Sequence, residues 1–360
     1  MRLITSALCT TVAVALIAGC SGGTSSTTSP TMPSVGAGAQ ARTHGHKQKP
    51  QWEYPASVYG NTDIHIMRPG AVMTRPVPAG AGQGGIYAGE FYGTSVFGYQ
   101  RKNTANNPPE CTIGGVSYVN GMGVDGVGNL LEPDGGTRSL NIYQGPGMCG
   151  ALAGNIADPY GQPSDASSPD ALTGKIALGN IFDNSSASGS VSICTLAGGC
   201  TDNLTNSVMY KVAGVAMDNS GNCWASAEDV SAGAHLVYFA GCTGGGTEAT
   251  GFMNADYGGL DIDNKGNIVS FSKSDASVYV YSGCNPACTL VGGPFPLQGI
   301  SVFGKLNRQS MTLAAADQEN GTIDVYQYSP TALTYWYSIS NGLGVSYTVN
   351  GVSQNPRSKQ

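Results

Sequence analysis

From residue 86 onward, apolar and polar residues alternate in short runs separated by clusters of Gly, Asn, Asp and Ser. Period-two alternation over such lengths predicts β-strands with one buried face, and the polar clusters predict tight turns. The runs repeat. Segments 95–99, 139–143, 190–194, 235–239, 277–281 and 322–326 alternate in the same way, and their starts lie 44, 51, 45, 42 and 45 residues apart. A second series shares a Gly, an apolar alternation, an Asp and a Gly-Asn turn at 121–129, 214–222 and 259–267. The last two copies are 45 residues apart, and the first pair is 93 apart, which leaves room for a degenerate copy read at 174–180. Segments 299–303 and 342–346 extend this series to six.

A period near 45 with about four short strands per unit is the mark of propeller blades. The expected fold is therefore all-β, a six-bladed β-propeller, with an open β-solenoid as its structural rival. The ends favour a closed ring. Strands expected at 86–91 and 95–99 begin in the middle of a unit, while 342–349 reads as an inner strand without companions. Pairing the two would complete the first blade and remove both exposed edges. Small residues at Gly123, Ala216 and Gly344 would let inner strands crowd the axis.

The Asp-x-x-Gly-Asn turns resemble those of the NHL and SMP-30-like six-bladed propellers of bacteria, across most of residues 85–350. The resemblance implies the fold. In that group, SMP-30-like enzymes use carboxylates and Asn around the axial opening to hold a divalent metal, and NHL lyases add His ligands to zinc. This chain has four His, at 44, 46, 65 and 235, and none falls where such a site would need it. Fold transfers between propellers and chemistry does not.

The repeated Asp125, Asp218 and Asp263 resemble an acidic calcium loop only in part, since no acid follows to close it. A carboxylate at the head of a β-turn instead accepts local backbone N–H groups, with Gly supplying positive φ. Inner-strand positions taken as equivalent hold Gly123, Ala216, Asp261, Ser301 and Gly344, of which Asp261 alone ionises. Asp261 is the candidate axial ligand contact. One acid makes neither a general acid/base pair nor a metal cage, so no catalytic residue, cofactor or metal ligand is assigned. Tyr99, Tyr143, Tyr281 and Tyr326 end strands and read as rings packed between blades with hydroxyls in water.

Charge and cysteine place the protein. All 23 acidic residues lie from Glu53 onward, against 13 Lys and Arg there, so the body carries a net −10. An acidic body lacks the basic footprint of a nucleic-acid binder. Before it, Arg2, an apolar stretch over residues 3–18 and Gly19-Cys20 form a signal-peptide layout, too short for a membrane span. Residues 16–20 resemble the lipobox of bacterial lipoproteins, which implies cleavage before Cys20 and diacylglycerol on its sulfur. Residues 1–19 are then the signal peptide, 20–52 the lipidated Cys and a flexible polar tether, and 53–360 the propeller domain. Ser21 resembles the outer-membrane sorting class, should the host have two membranes.

Eight Cys remain after Cys9 and Cys20, and an oxidising compartment favours disulfides. The short loops suggest Cys194–Cys200 and Cys284–Cys288, neighbouring strands suggest Cys223–Cys242, and Cys111–Cys149 is what remains. The expected function is a monomeric, lipid-anchored envelope module that binds a protein or glycan; the alternative is a lactonase-like hydrolase or lyase acting on a small substrate at the axial mouth.

Overall fold

The computed structural model describes residues 85–354 except 146, 170–173, 184–187, 308 and 345–347. The lipobox, the tether and His65 lie outside the described residues. Six four-stranded antiparallel sheets surround one axis as blades 1 to 6. Blade 1 is made of the chain's two ends. Val349–Gln354 pairs with Gly85–Glu90, whose other neighbour is Ser95–Gln100.

The expected six blades and their closure hold, with two corrections. The closing strand is Val349–Gln354 rather than 342–349, because Gly342 adopts φ +84° in a turn that ends the preceding blade. In blade 3 the copy read at 174–180 is the second strand, Lys175–Asp183. The inner strand there is Gly161–Ser167, hidden from a pattern search by Pro163 and by two register shifts around it. The other inner strands are Gly123–Val124, Lys211–Met217, Leu260–Ile262 and Ser301–Leu306 in blades 2, 4, 5 and 6. The 95–99 series falls on the third strand of every blade.

Alternation explains the core. Successive side chains point to opposite faces, so each blade packs one face against the blade before it and one against the blade after. Six inter-blade clusters result, and the seam between blades 6 and 1, with Ile86, Ala316, Val325 and Val352, is built like the rest. At the axis the inner strands do crowd. A Cβ on Gly123 would lie 2.4 Å from the carbonyl oxygen of Ala166 in the next blade.

All four expected disulfides form. Three lie within blades 3, 4 and 5, and Cys111–Cys149 ties the outer strand of blade 1 to a loop of blade 2. The four repeated tyrosines are 0–1% exposed, so none of their hydroxyls stands in water as expected: that of Tyr143 is enclosed, and the other three bond to protein. Tyr99 donates to the Asn341 carbonyl, Tyr281 to Asn254 Oδ1, and Tyr326 accepts from the Gln298 N–H. Each of these three hydroxyls holds the link that enters its blade.

Candidate functional site

Inner strands of a propeller leave one edge unpaired at the axis, so their last residues and the turns after them form a mouth. Here that mouth is a cup of about 350 Å³ to which all six inner strands or their extensions contribute. Its rim includes three repeated turns. Asp125 Oδ1 accepts from the N–H groups of Val127 and Asn129, and Oδ2 accepts from Asn129 Nδ2. Asp218 and Asp263 repeat this with Ser220 and Asn222, and with Lys265 and Asn267, at 2.7–2.9 Å. Gly128, Gly221 and Gly266 take φ of +97°, +84° and +80°, the left-handed region where a side chain is strained. The turn carboxylates are thus structural acceptors, as their spacing implies.

Asp261 lies in the cup wall, half-buried, on the inner strand of blade 5. Its Oδ1 accepts from the Ile262 N–H at 2.8 Å and its Oδ2 from the Leu306 N–H of blade 6 at 2.6 Å. Ser167 acts alike between blades 3 and 4, where its Oγ accepts from the Met217 N–H at 3.0 Å. Side chains of this kind satisfy strand edges that no further strand covers.

The expected set of equivalent positions needs correction in two blades. Gly123, Ala216 and Asp261 each stand two residues before the turn residue, and in blade 6 that residue is Asn307, whose Oδ1 accepts from Met311 and Thr312. Lys305, not Ser301, is therefore the equivalent. The turn lacks the Asp-x-x-Gly-Asn signature, and a register shift between Ser301 and Gly304 moves the strand along. In blade 1 the cup-lining residue is Ser353 rather than Gly344, which lies outside the strands beside Glu90.

The floor holds what the sequence did not signal. Lys305, 5% exposed, reaches across the axis from blade 6 to the fully buried Asp165 of blade 3, at 3.0 Å. Its Nζ also donates to the Leu260 carbonyl of blade 5 at 2.8 Å, and Asp165 accepts from the Val215 N–H of blade 4 at 3.0 Å. One ion pair thus ties four inner strands. Burial pushes the Asp165 carboxyl up to about 6, although Lys305 and the backbone N–H groups oppose the shift. Beneath it, Phe91, Ile181, Ala213, Tyr257, Val302 and Phe303 form an apolar cluster at the far end. A Cβ on Gly121 would strike both Asp165 Oδ1 and Phe303, so the two layers are in direct succession. The cup has a floor.

His235 stands on the third strand of blade 4, outside the cup lining, between Asp229 at 3.0 Å and Glu248 at 2.7 Å. Among the described residues, no group of three or more His, Cys, Asp and Glu is placed to hold a metal ion. No described helix is long and apolar enough to cross a membrane.

No family model matches the chain, and no curated protein matches it. Solved structures do match in fold. A chain of a nidogen–laminin complex is similar with a TM-score of 0.56 and 10% identity, covering 76% of this chain and 98% of that one. A protein of unknown function from Bacteroides caccae gives 0.55 and 8%, over 76% and 99%. A protein from Lactobacillus plantarum gives 0.50 and 9%, over 76% and 99%. At such identities the likeness is one of architecture, and it agrees with the six-bladed ring.

Proposed function

We propose that this is a lipid-anchored binding module of the bacterial envelope, working through the axial cup on a protein or glycan. The observation that carries the reading is the state of the cup's carboxylates. Asp125, Asp218, Asp261 and Asp263 all accept bonds from nearby backbone N–H groups, and the one lysine is engaged with Asp165 and Leu260. General acid/base chemistry needs a group free to reach substrate with a proton, and these groups are occupied in holding strands and turns. Recognition asks only for fixed donors and acceptors, which a rigid ring supplies. One similar propeller was solved in a nidogen–laminin complex, so a partner protein suits the architecture. The turn pattern, which resembles NHL and SMP-30-like propellers, supports the same class of scaffold.

The lipobox-like residues before Cys20, and the four disulfides, support export and anchoring. Two measurements test the proposal. With a fatty-acid probe in the bacterium, wild type is labelled and Cys20→Ala accumulates as unlabelled precursor; normal labelling of that variant removes the anchor. Acyl-free protein should co-sediment with isolated envelope fragments, and Ser220→Trp, at an exposed rim position, should weaken this at least tenfold. Undiminished sedimentation of Ser220→Trp, with an unchanged melt, means the cup is not the working surface.

A further inference from the structure

We infer that the cup receives the terminal ring of a neutral polyhydroxylated ligand, a non-ionic sugar entering end-on; this rests on the cup being the working surface. The shape gives the first argument. A floor of Lys305 and Asp165 over an apolar plug stops a chain from threading the axis, and about 350 Å³ is near the lower bound for small-molecule sites. One end group fits such a recess, presented from above.

The lining gives the second. Val124 and Ile262, half-buried on the inner strands of blades 2 and 5, stand on the wall among hydroxyl and amide residues such as Ser167 and Asn264, while Met217 and Leu306 border the cup with their side chains turned into the inter-blade cores. A sugar ring has the same character, with C–H faces and hydroxyl edges. A purely apolar ligand would strip water from those polar groups without replacing the hydrogen bonds, which penalises each group left unpaired. A carboxylate has about four acceptor sites. The turn of Asp218 uses three of them, which leaves capacity for a ligand hydroxyl.

Charge gives the third and sets the specificity. Four carboxylates, at 125, 218, 261 and 263, line the cup, while the charge of Lys305 is matched by Asp165 below. The field at the mouth is negative, so uronic acids, sialic acids and phosphorylated sugars meet repulsion that a neutral ring does not.

The test is titration of the mature protein with three methyl glycosides of one hexose configuration: the neutral sugar, its 2-amino derivative and its uronic acid. Binding of the neutral glycoside is expected, at least tenfold tighter than the uronic acid, lost in Ser220→Trp, and with the gap narrowed in Asp261→Asn. Circular dichroism melts of both variants should match wild type, which separates blocking from unfolding. Failure of a full panel of neutral methyl hexosides to bind, or tighter binding of uronic acids, overturns the inference. So does a preference above tenfold for the amino sugar, since the cup would then be a cation site. If no sugar binds while Ser220→Trp still abolishes envelope sedimentation, the cup remains the working surface and its ligand is a protein.

Discussion

Lys305 and Asp165 show how much one pair can carry at the centre of a ring. Neither is tolerable alone at that depth, since an ionised group away from water costs several kcal/mol unless it is paired and hydrogen-bonded. The pair meets both conditions, and its extra bonds to Leu260 and Val215 spread it over blades 3 to 6. Lys305→Met should therefore destabilise the domain by about 3–5 kcal/mol, because Asp165 loses its counterion while remaining buried. The double variant Lys305→Met/Asp165→Leu should recover at least half of that loss. Denaturant titrations of the two variants decide it; a double variant no better than the single would show that the bonds to backbone, rather than the charge pairing, hold the axis. Asp218 and its repeats act on a smaller scale, each closing one turn by three bonds.

At the scale of strands, the turns and third strands were legible and the inner strands only partly so. Third strands are central in their sheets, buried on both faces and regular, so 139–143, 277–281 and 322–326 keep their period. Inner strands answer to the axis as well as to the blade. Gly161–Ser167 bends through two register shifts and carries a charged floor residue, while Gly123–Val124 is two residues long. Neither can advertise itself by alternation. Asp165 and Lys305 stand 140 residues apart on strands whose registers are bulged, so only the closed ring reveals that they meet. Asp261 was found because its blade keeps the turn signature intact. The closing strand makes the element-scale prediction: removal of residues 349–360 takes away the partner of Gly85–Glu90 and the wall that holds Ser353. Both the first blade and the seam with blade 6 would lose apolar cover, including Val349 and Val352. The truncated protein should elute as aggregates in size-exclusion chromatography and melt at least 10 °C lower. A monomer with the wild-type melt would mean the ring does not depend on this strand.

The whole molecule is acidic, and several of its acids are buried. Burial pushes Asp165 and Asp324 up to about 6, with neighbouring Asp317 adding to the shift at Asp324, and it also raises Asp134 and Asp158. Burial, with Asp134 beside it, also pushes the fully enclosed Glu132 well above its ordinary value, against the bond it accepts from Asn141. For Asp165 and Asp324 the folded pKa exceeds the unfolded one, so between about 6 and 4 the native state binds more protons than the unfolded chain. Stability therefore increases as pH falls through that window, and the gain levels off below about 4, where the unfolded carboxyls also protonate. A shift of roughly two units on each of these two groups gives about 1 kcal/mol per group between pH 7 and pH 5. Relief of repulsion in a body of net charge −10 acts in the same direction. The thermal midpoint is thus expected to be several degrees higher at pH 5 than at pH 7, and Asp324→Asn should remove part of that difference. Calorimetry at constant ionic strength checks it: a midpoint that falls steadily from pH 7 to pH 5 would mean that the buried carboxyls are held as anions, with their hydrogen bonds and Lys305 outweighing burial.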